Sequence, residues 1–217
     1  FSKDFDFFEY DTPWDKSKAP VYYVPTAKIW EGSTAEDYRK WIDQLNTIWR
    51  TRGQNLGQKG LYQAGSFDRM KKIVLETEWG KRWSHYNNKG DVTDDVVQRF
   101  RASVGPTGLV SPSITTGYDF PGKQAEYNVI AKVPFPNPHS PLTIARTEIN
   151  PDYSAAIAME SIGQAAGRTW RDASETTEVL ITDNNMQWFW KRYKYLASKA
   201  LYGRYKEVET LPAPIRA

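Results

Sequence analysis

Cysteine is missing from this 217-residue chain, and with it go disulfide scaffolds, thiolate zinc sites, iron–sulfur ligand sets and cysteine nucleophiles. Histidine is almost as scarce. The two present, His85 and His139, are not spaced as a ligand pair, so metal binding and general acid–base catalysis lack their commonest side chain. Long apolar runs are absent too: mean hydropathy is -0.67, and no stretch approaches the ~20 residues that cross a bilayer as a helix. Charge of one sign is modest, a net +3 with a pI near 8.9, far short of the basic stripe that duplex binding displays. No Asn-x-Ser/Thr acceptor occurs, which disfavours the secretory route. These absences leave no catalytic, cofactor-binding or metal residue to nominate. Nucleic acid is not the expected partner.

What the chain does hold is aromatic side chains, with nine Trp, thirteen Tyr and nine Phe in an otherwise polar sequence. Trp and Tyr suit surfaces where one end of a side chain is apolar and the other wet, as at protein interfaces. Phe5, Phe7, Phe8, Tyr10 and Trp14 alternate with acids near the start, and Pro13, Pro20 and Pro25 keep the following stretch extended. Residues 1–32 therefore read as an acidic, aromatic arm. It either drapes over its own domain or contacts a neighbouring subunit through those five rings.

Helical periodicity follows over residues 33–104. Ser33-Thr34-Ala35-Glu36 fits a capping box, and Tyr38, Trp41, Ile42, Leu45, Ile48 and Trp49 recur at spacings of three and four, predicting a helix over 34–51 that stops near Gly53. A second helix is expected from Ser66 to about Trp83, and a third, capped by Asp91 or Thr93, uses Val96, Val97 and Phe100. Residues 105–150 lose that periodicity and hold seven of the thirteen prolines; only Glu126 to Val133 alternates as a strand does. This stretch reads as an extended linker or second arm.

Residues 151–210 read as helical again. Asn150 and Pro151 open a helix whose body is mostly small, with Gly163 and Gly167 allowing a close approach to another helix. A final helix is expected from Thr182 or Asp183 to about Tyr205. It carries Lys191, Arg192, Lys194, Lys199, Arg204 and Lys206 with no acid between Met186 and Lys206. That face is either a solvated basic surface or a contact for anionic lipid headgroups or an acidic partner. Residues 211–217 form a tail. The expected fold is mainly α, an irregular helical body with long extended Pro-rich arms and little or no β-sheet.

Chemical motifs fail on inspection. Gly53, Gly57 and Gly60 with Lys59 do not make a phosphate loop, because Gln58 separates Gly57 from Lys59 and no Ser or Thr follows the lysine. Neither a G-x-G-x-x-G fingerprint nor a G-x-S-x-G elbow occurs. Glu36-Asp37 and Asp94-Asp95 sit in first helical turns, where acids complement the helix dipole.

The processed-looking Phe1-Ser2 start, the Trp-rich polar body and the proline-spaced arms give the chain an overall character that resembles lineage-specific accessory subunits of mitochondrial ATP synthase and respiratory-chain complexes. The resemblance implies a non-catalytic accessory subunit, peripheral to the mitochondrial inner membrane, that binds other protein subunits through its arms and needs no cofactor. An organellar ribosomal or RNA-binding protein, and a small enzyme with a pocket between its helices, are the alternatives.

Overall fold

The computed structural model describes residues 9–87, 90–112 and 117–215. The fold is not mainly α. Its centre is a sheet built from β1 (Val21–Ala27), β2 (Gly60–Gln63), β3 (Trp83–Ser84), β4 (Gly108–Ser111), β5 (Tyr127–Ile130), β6 (Glu178–Asp183) and β7 (Tyr205–Glu207). The strands lie in the order β3-β4-β2-β5-β6-β1-β7, and every neighbouring pair is parallel. Strands covered on both faces show no in–out alternation. All residues of β2, β4, β5 and β6 are buried, and three of these strands are only four residues long. Their sequence signal is therefore a short apolar run between glycines and prolines, and the stretch expected to be extended supplies β4 and β5.

Between the strands run α1 (Ala35–Ile48), α2 (Phe67–Glu76), α3 (Thr93–Ala102), α4 (Pro141–Ile149), α5 (Tyr153–Ala166), α6 (Asn185–Tyr193) and α7 (Lys199–Tyr202). α1 and α2 lie against one face of the sheet and α5 and α6 against the other, with the buried residues of α3 joined to the cluster of α1 and α2. On the first face Tyr62, Tyr127, Val129 and Leu180 meet Trp41, Trp49 and Trp79. On the second, Ile130, Val179 and Ile181 pack under Ala158, Ile162 and Phe189, and Asn128 Nδ2 donates to the Ala165 carbonyl at 2.7 Å.

Local boundaries shift from their expected places for physical reasons. The cap of α1 is Thr34, whose hydroxyl accepts from Asp37 N while the Asp37 carboxylate accepts from Thr34 N; Asp37 occupies the role expected of Glu36. Gly53 does not stop the helix, which continues as a π turn over Trp49–Gln54. There the glycine makes room for the Trp49 ring, since a Cβ would fall 2.1 Å from it. The long helix expected from residue 182 to 205 divides instead. Thr182 and Asp183 end β6, α6 stops at Tyr193, and the chain turns through α7 into β7.

Candidate functional site

Side chains with chemical potential gather at the two opposite edges of the sheet. In an open parallel sheet the crevice at the carboxyl ends of the strands, where successive connections leave for opposite faces, is the natural ligand position. Here that point lies between β2, whose connection leads to α2, and β5, whose connection leads to α4 and α5.

Gly65 follows β2 with φ +73, and a Cβ there would meet Lys132 Cβ at 3.3 Å and Arg69 Nη1 at 3.5 Å. The left-handed turn and the close approach both call for glycine. Ser66 caps α2 by accepting from Arg69 N at 3.3 Å, and Arg69 Nη1 also donates to its hydroxyl at 3.2 Å. Lys132, just past β5, pairs with Asp183 Oδ2 at 2.7 Å. Burial pulls the Lys132 ammonium below the ordinary lysine range against the pull of Asp183, and the charges of Arg69 and Lys28 act in the same direction as burial. Lys28, Arg69 and Lys132, from the connections after β1, β2 and β5, thus share one edge with Asp183. Beside them Trp30 is 53% exposed, with the Lys28 ammonium 5.9 Å from its ring centre. Gly32 backs that indole so closely that a Cβ would fall 2.6 Å from it. A flat ring amid cations can stack a base and hold phosphate.

The opposite edge, where strands begin, carries a second arrangement. α5 ends at Ala166, and Gly167 Arg168 Thr169 Trp170 Arg171 turn from it toward β6. Arg168 Nη1 donates to the Tyr118 carbonyl at 2.6 Å and to Asp119 Oδ1 at 3.0 Å. Arg171 Nη2 donates to the same Asp119 oxygen. The turn is braced from several directions: Phe120 N donates to the Arg168 carbonyl at 3.1 Å, Gly122 N to Glu175 Oε1 at 2.6 Å, and Arg171 N to Glu175 Oε2 at 2.5 Å. Trp170 is buried beneath, its ring meeting Arg204 at 4.6 Å and Trp14 edge-on at 5.1 Å. Arg168 is largely enclosed while Arg171 keeps its side chain 40% exposed. One carboxylate thus orients two planar guanidinium groups, of which that of Arg171 is the one open to an anion approaching this edge.

The residues singled out from sequence fall elsewhere. Phe5, Phe7 and Phe8 lie outside the described residues. Tyr10 is exposed, and Trp14 packs on Trp170 of the same chain. Lys191, Arg192, Lys194 and Lys199 are exposed on α6, the turn after it and α7, with Lys199 Nζ donating to the Glu9 carbonyl at 3.3 Å. Arg204 is buried, donating to the carbonyls of Ala19 and Ala166. Lys59, tested as a phosphate-loop lysine, spends its ammonium on the carbonyls of Phe100, Arg101 and Ser103 at the end of α3. The edge residues were missed because they come from separate connections. The one linear signal is Gln164-x-x-Gly167-Arg168-x-x-Arg171, in which the spacing of Gly163 and Gly167 reads locally as helix packing.

The fold is shared with solved helicases. Superposition on Xpd4 of S. tokodaii gives a TM-score of 0.58 at 15% identity, covering 88% of this chain and 38% of that one. An XPD helicase gives 0.63 at 17%, covering 88% and 35%. S. cerevisiae Dbp5 bound to RNA and ADP BeF3 gives 0.55 at 14%, covering 88% and 41%. This chain therefore spans less than half of those proteins, and the likeness is to their RecA-like C-terminal domains. A comparison with curated protein sequences gave no match. Residues 56–202 match the sequence profile of the helicase C-terminal domain.

These findings replace the reading of the chain as a non-catalytic accessory subunit of ATP synthase or a respiratory-chain complex. Its Trp-rich, proline-spaced character comes from an aromatic core and from the connections of a parallel sheet, not from arms on a large assembly. With residues 56–202 matching a helicase C-terminal domain, nucleic acid can no longer be set aside as a partner on the ground of low net charge. The profile match covers most of the chain and the fold agrees with it: the chain belongs to the helicase C-terminal domain family.

Proposed function

We propose that this chain is the second motor domain of an ATP-driven nucleic-acid helicase, holding a single strand at the carboxyl edge of its sheet and turning Arg168 and Arg171 toward a nucleotide bound on another domain. The observation that carries the reading is the separation of two cationic sites on opposite edges of one rigid sheet. Lys28, Arg69 and Lys132 with Trp30 supply phosphate contacts and a stacking ring, the two means by which proteins grip single strands. Arg168 and Arg171 supply what a phosphoryl-transfer site needs from outside its own cradle, a guanidinium aimed at charge developing on the terminal phosphate.

The chain's own residues fit the role of contributor and not of cradle. Lys59 is consumed in capping α3, and the glycines around it form no phosphate loop. Asp119 holds Arg171 where a second anion can compete for it, so arrival of a triphosphate would exchange one carboxylate contact for a phosphate contact. A sheet that joins both edges couples nucleotide state to strand grip through one rigid body.

The experiment is a pair of substitutions read separately. In the polypeptide that carries both motor domains, Arg171→Ala is expected to lower strand-stimulated ATP hydrolysis by about 10³-fold or more with strand affinity unchanged. Arg69→Ala is expected to weaken strand binding while the low hydrolysis rate without nucleic acid stays unchanged. Equal hydrolysis by wild type and Arg171→Ala would overturn the assignment.

A further inference from the structure

A second basic and aromatic surface lies on α6 and the turn that follows it. Trp188, Tyr195 and Tyr202 are 53%, 64% and 52% exposed, unusual for rings of this size in a domain with a well-filled core. Lys191, Arg192 and Lys194 are exposed among them, and no acid falls between Met186 and Lys206. An open groove of about 770 Å³ runs beside Trp188, Lys191 and Lys194, its floor formed by Trp190 and Tyr205, with Glu207 its one acid. The floor is firm, because Trp190 stacks on Tyr205 with ring centres 3.8 Å apart. Trp188 is itself propped edge-on against Tyr193 at 5.7 Å.

Position decides what the surface meets. α6 begins two residues after Asp183, the carboxylate that anchors Lys132, and Phe135 of the neighbouring connection packs against Phe189 at 5.1 Å. Trp188 stands about one helical turn from the strand-binding edge. The surface thus leaves that edge at Asn185 and follows α6 toward Tyr205 at the start of β7, with the same sign of charge and the same pairing of exposed ring with cation. A lipid surface would favour an apolar face that buries into the bilayer boundary, and here the apolar side of α6 is already in the core.

We infer that the α6 face is an extension of the strand path, on which nucleotides beyond those held at the sheet edge stack on Trp188 and set their phosphates against Lys191 and Lys194. This rests on the edge assignment above and lengthens it. It makes affinity depend on strand length in a way the edge alone does not.

The test measures anisotropy of labelled oligothymidylates of about six and about twenty nucleotides, lengths chosen to fall within and beyond one compact site, with the 217-residue chain. The triple variant Trp188→Ala, Lys191→Ala, Lys194→Ala is expected to bind the long strand about tenfold more weakly and the short one as wild type does. Its plot of log affinity against log salt should flatten by about 1.4, two phosphate contacts on a single strand. Trp188→Phe, which keeps a stacking ring, should stay close to wild type. Circular dichroism and the melting temperature check that the variants fold. Unchanged long-strand binding by a folded triple variant overturns the inference. So does binding of phosphatidylserine vesicles, or of an acidic protein, that the triple variant loses while both strands remain bound. Arg69→Ala separates the two claims: if it weakens neither length, the edge assignment fails; if it weakens both while the triple variant weakens neither, only the α6 path fails.

Discussion

Asp183 illustrates how much one residue does at the strand-binding edge. Its carboxylate accepts from the backbone N–H of Ile29 at 3.3 Å, Val133 at 3.0 Å and Asn185 at 3.1 Å, from Asn185 Nδ2 at 2.8 Å, and from Lys132 Nζ at 2.7 Å. It ties together the segments leaving β1, β5 and β6. Asp183→Ala would leave a partly buried ammonium unpaired and several donors without an acceptor, at a cost of about 3–5 kcal/mol by the scale for broken buried pairs. Urea denaturation reads that loss, and the loosened edge should also lower strand affinity. At Gly65, alanine meets both a positive φ and the Lys132 stem. Gly65→Ala is expected to weaken strand binding more than it lowers the melting temperature, since the residue itself is exposed.

At the scale of elements, the helices obey rules that are readable locally. Thr34 and Asp37 form a reciprocal cap on α1, and Val96, Val97 and Phe100 bury one face of α3. The cap makes a pH prediction. Hydrogen bonds from Thr34 N and then from the Thr34 hydroxyl hold the Asp37 carboxyl below its ordinary value of 3.8. A depressed carboxyl contributes stability that is present above the unfolded value and is lost as pH falls through the lower folded one. Asp37→Asn should therefore reduce the slope of melting temperature against pH on the acid side of 3.8, and leave the neutral-pH slope as it is. An unchanged acid limb would show that the cap does not titrate with folding. The strands offered no such handle. Gly60-Leu61-Tyr62-Gln63 and Gly108-Leu109-Val110-Ser111 are too short for a period, and they are stabilised by ladders to segments far away in sequence.

The whole molecule is closed by contacts of that long-range kind. Arg52, within the π turn, donates to both Glu178 oxygens at 2.8 and 3.0 Å and to the Pro212 carbonyl at 2.8 Å. One buried guanidinium thus joins the first helix, the start of β6 and the C-terminal segment. Burial raises the Glu178 carboxyl, and the Arg52 hydrogen bond opposes that rise. Removing the cation leaves the acid buried alone, so Arg52→Met is expected to cost about 3–5 kcal/mol, much of it recovered in the double variant Arg52→Met, Glu178→Leu. Chemical denaturation of the two variants decides whether the pair acts as a unit.

The sequence by itself determined the absence of thiol chemistry, the lack of a phosphate loop, the start of α2 at Ser66 and the buried faces of α1 and α3. Each depends on residues within a turn or two of one another, where sterics and local hydrogen bonds decide the outcome. Only the tertiary structure decided that the middle of the chain is sheet and not arm, that Arg204 is buried while Lys191 is exposed, and that Asp119 meets Arg168 and Arg171 across about fifty residues. It alone brought Gly65, Lys132 and Asp183 to one edge. A parallel strand takes its hydrogen-bond partners from beyond a crossover, so neither its pairing nor the sites at its ends can be written in the few residues it contains.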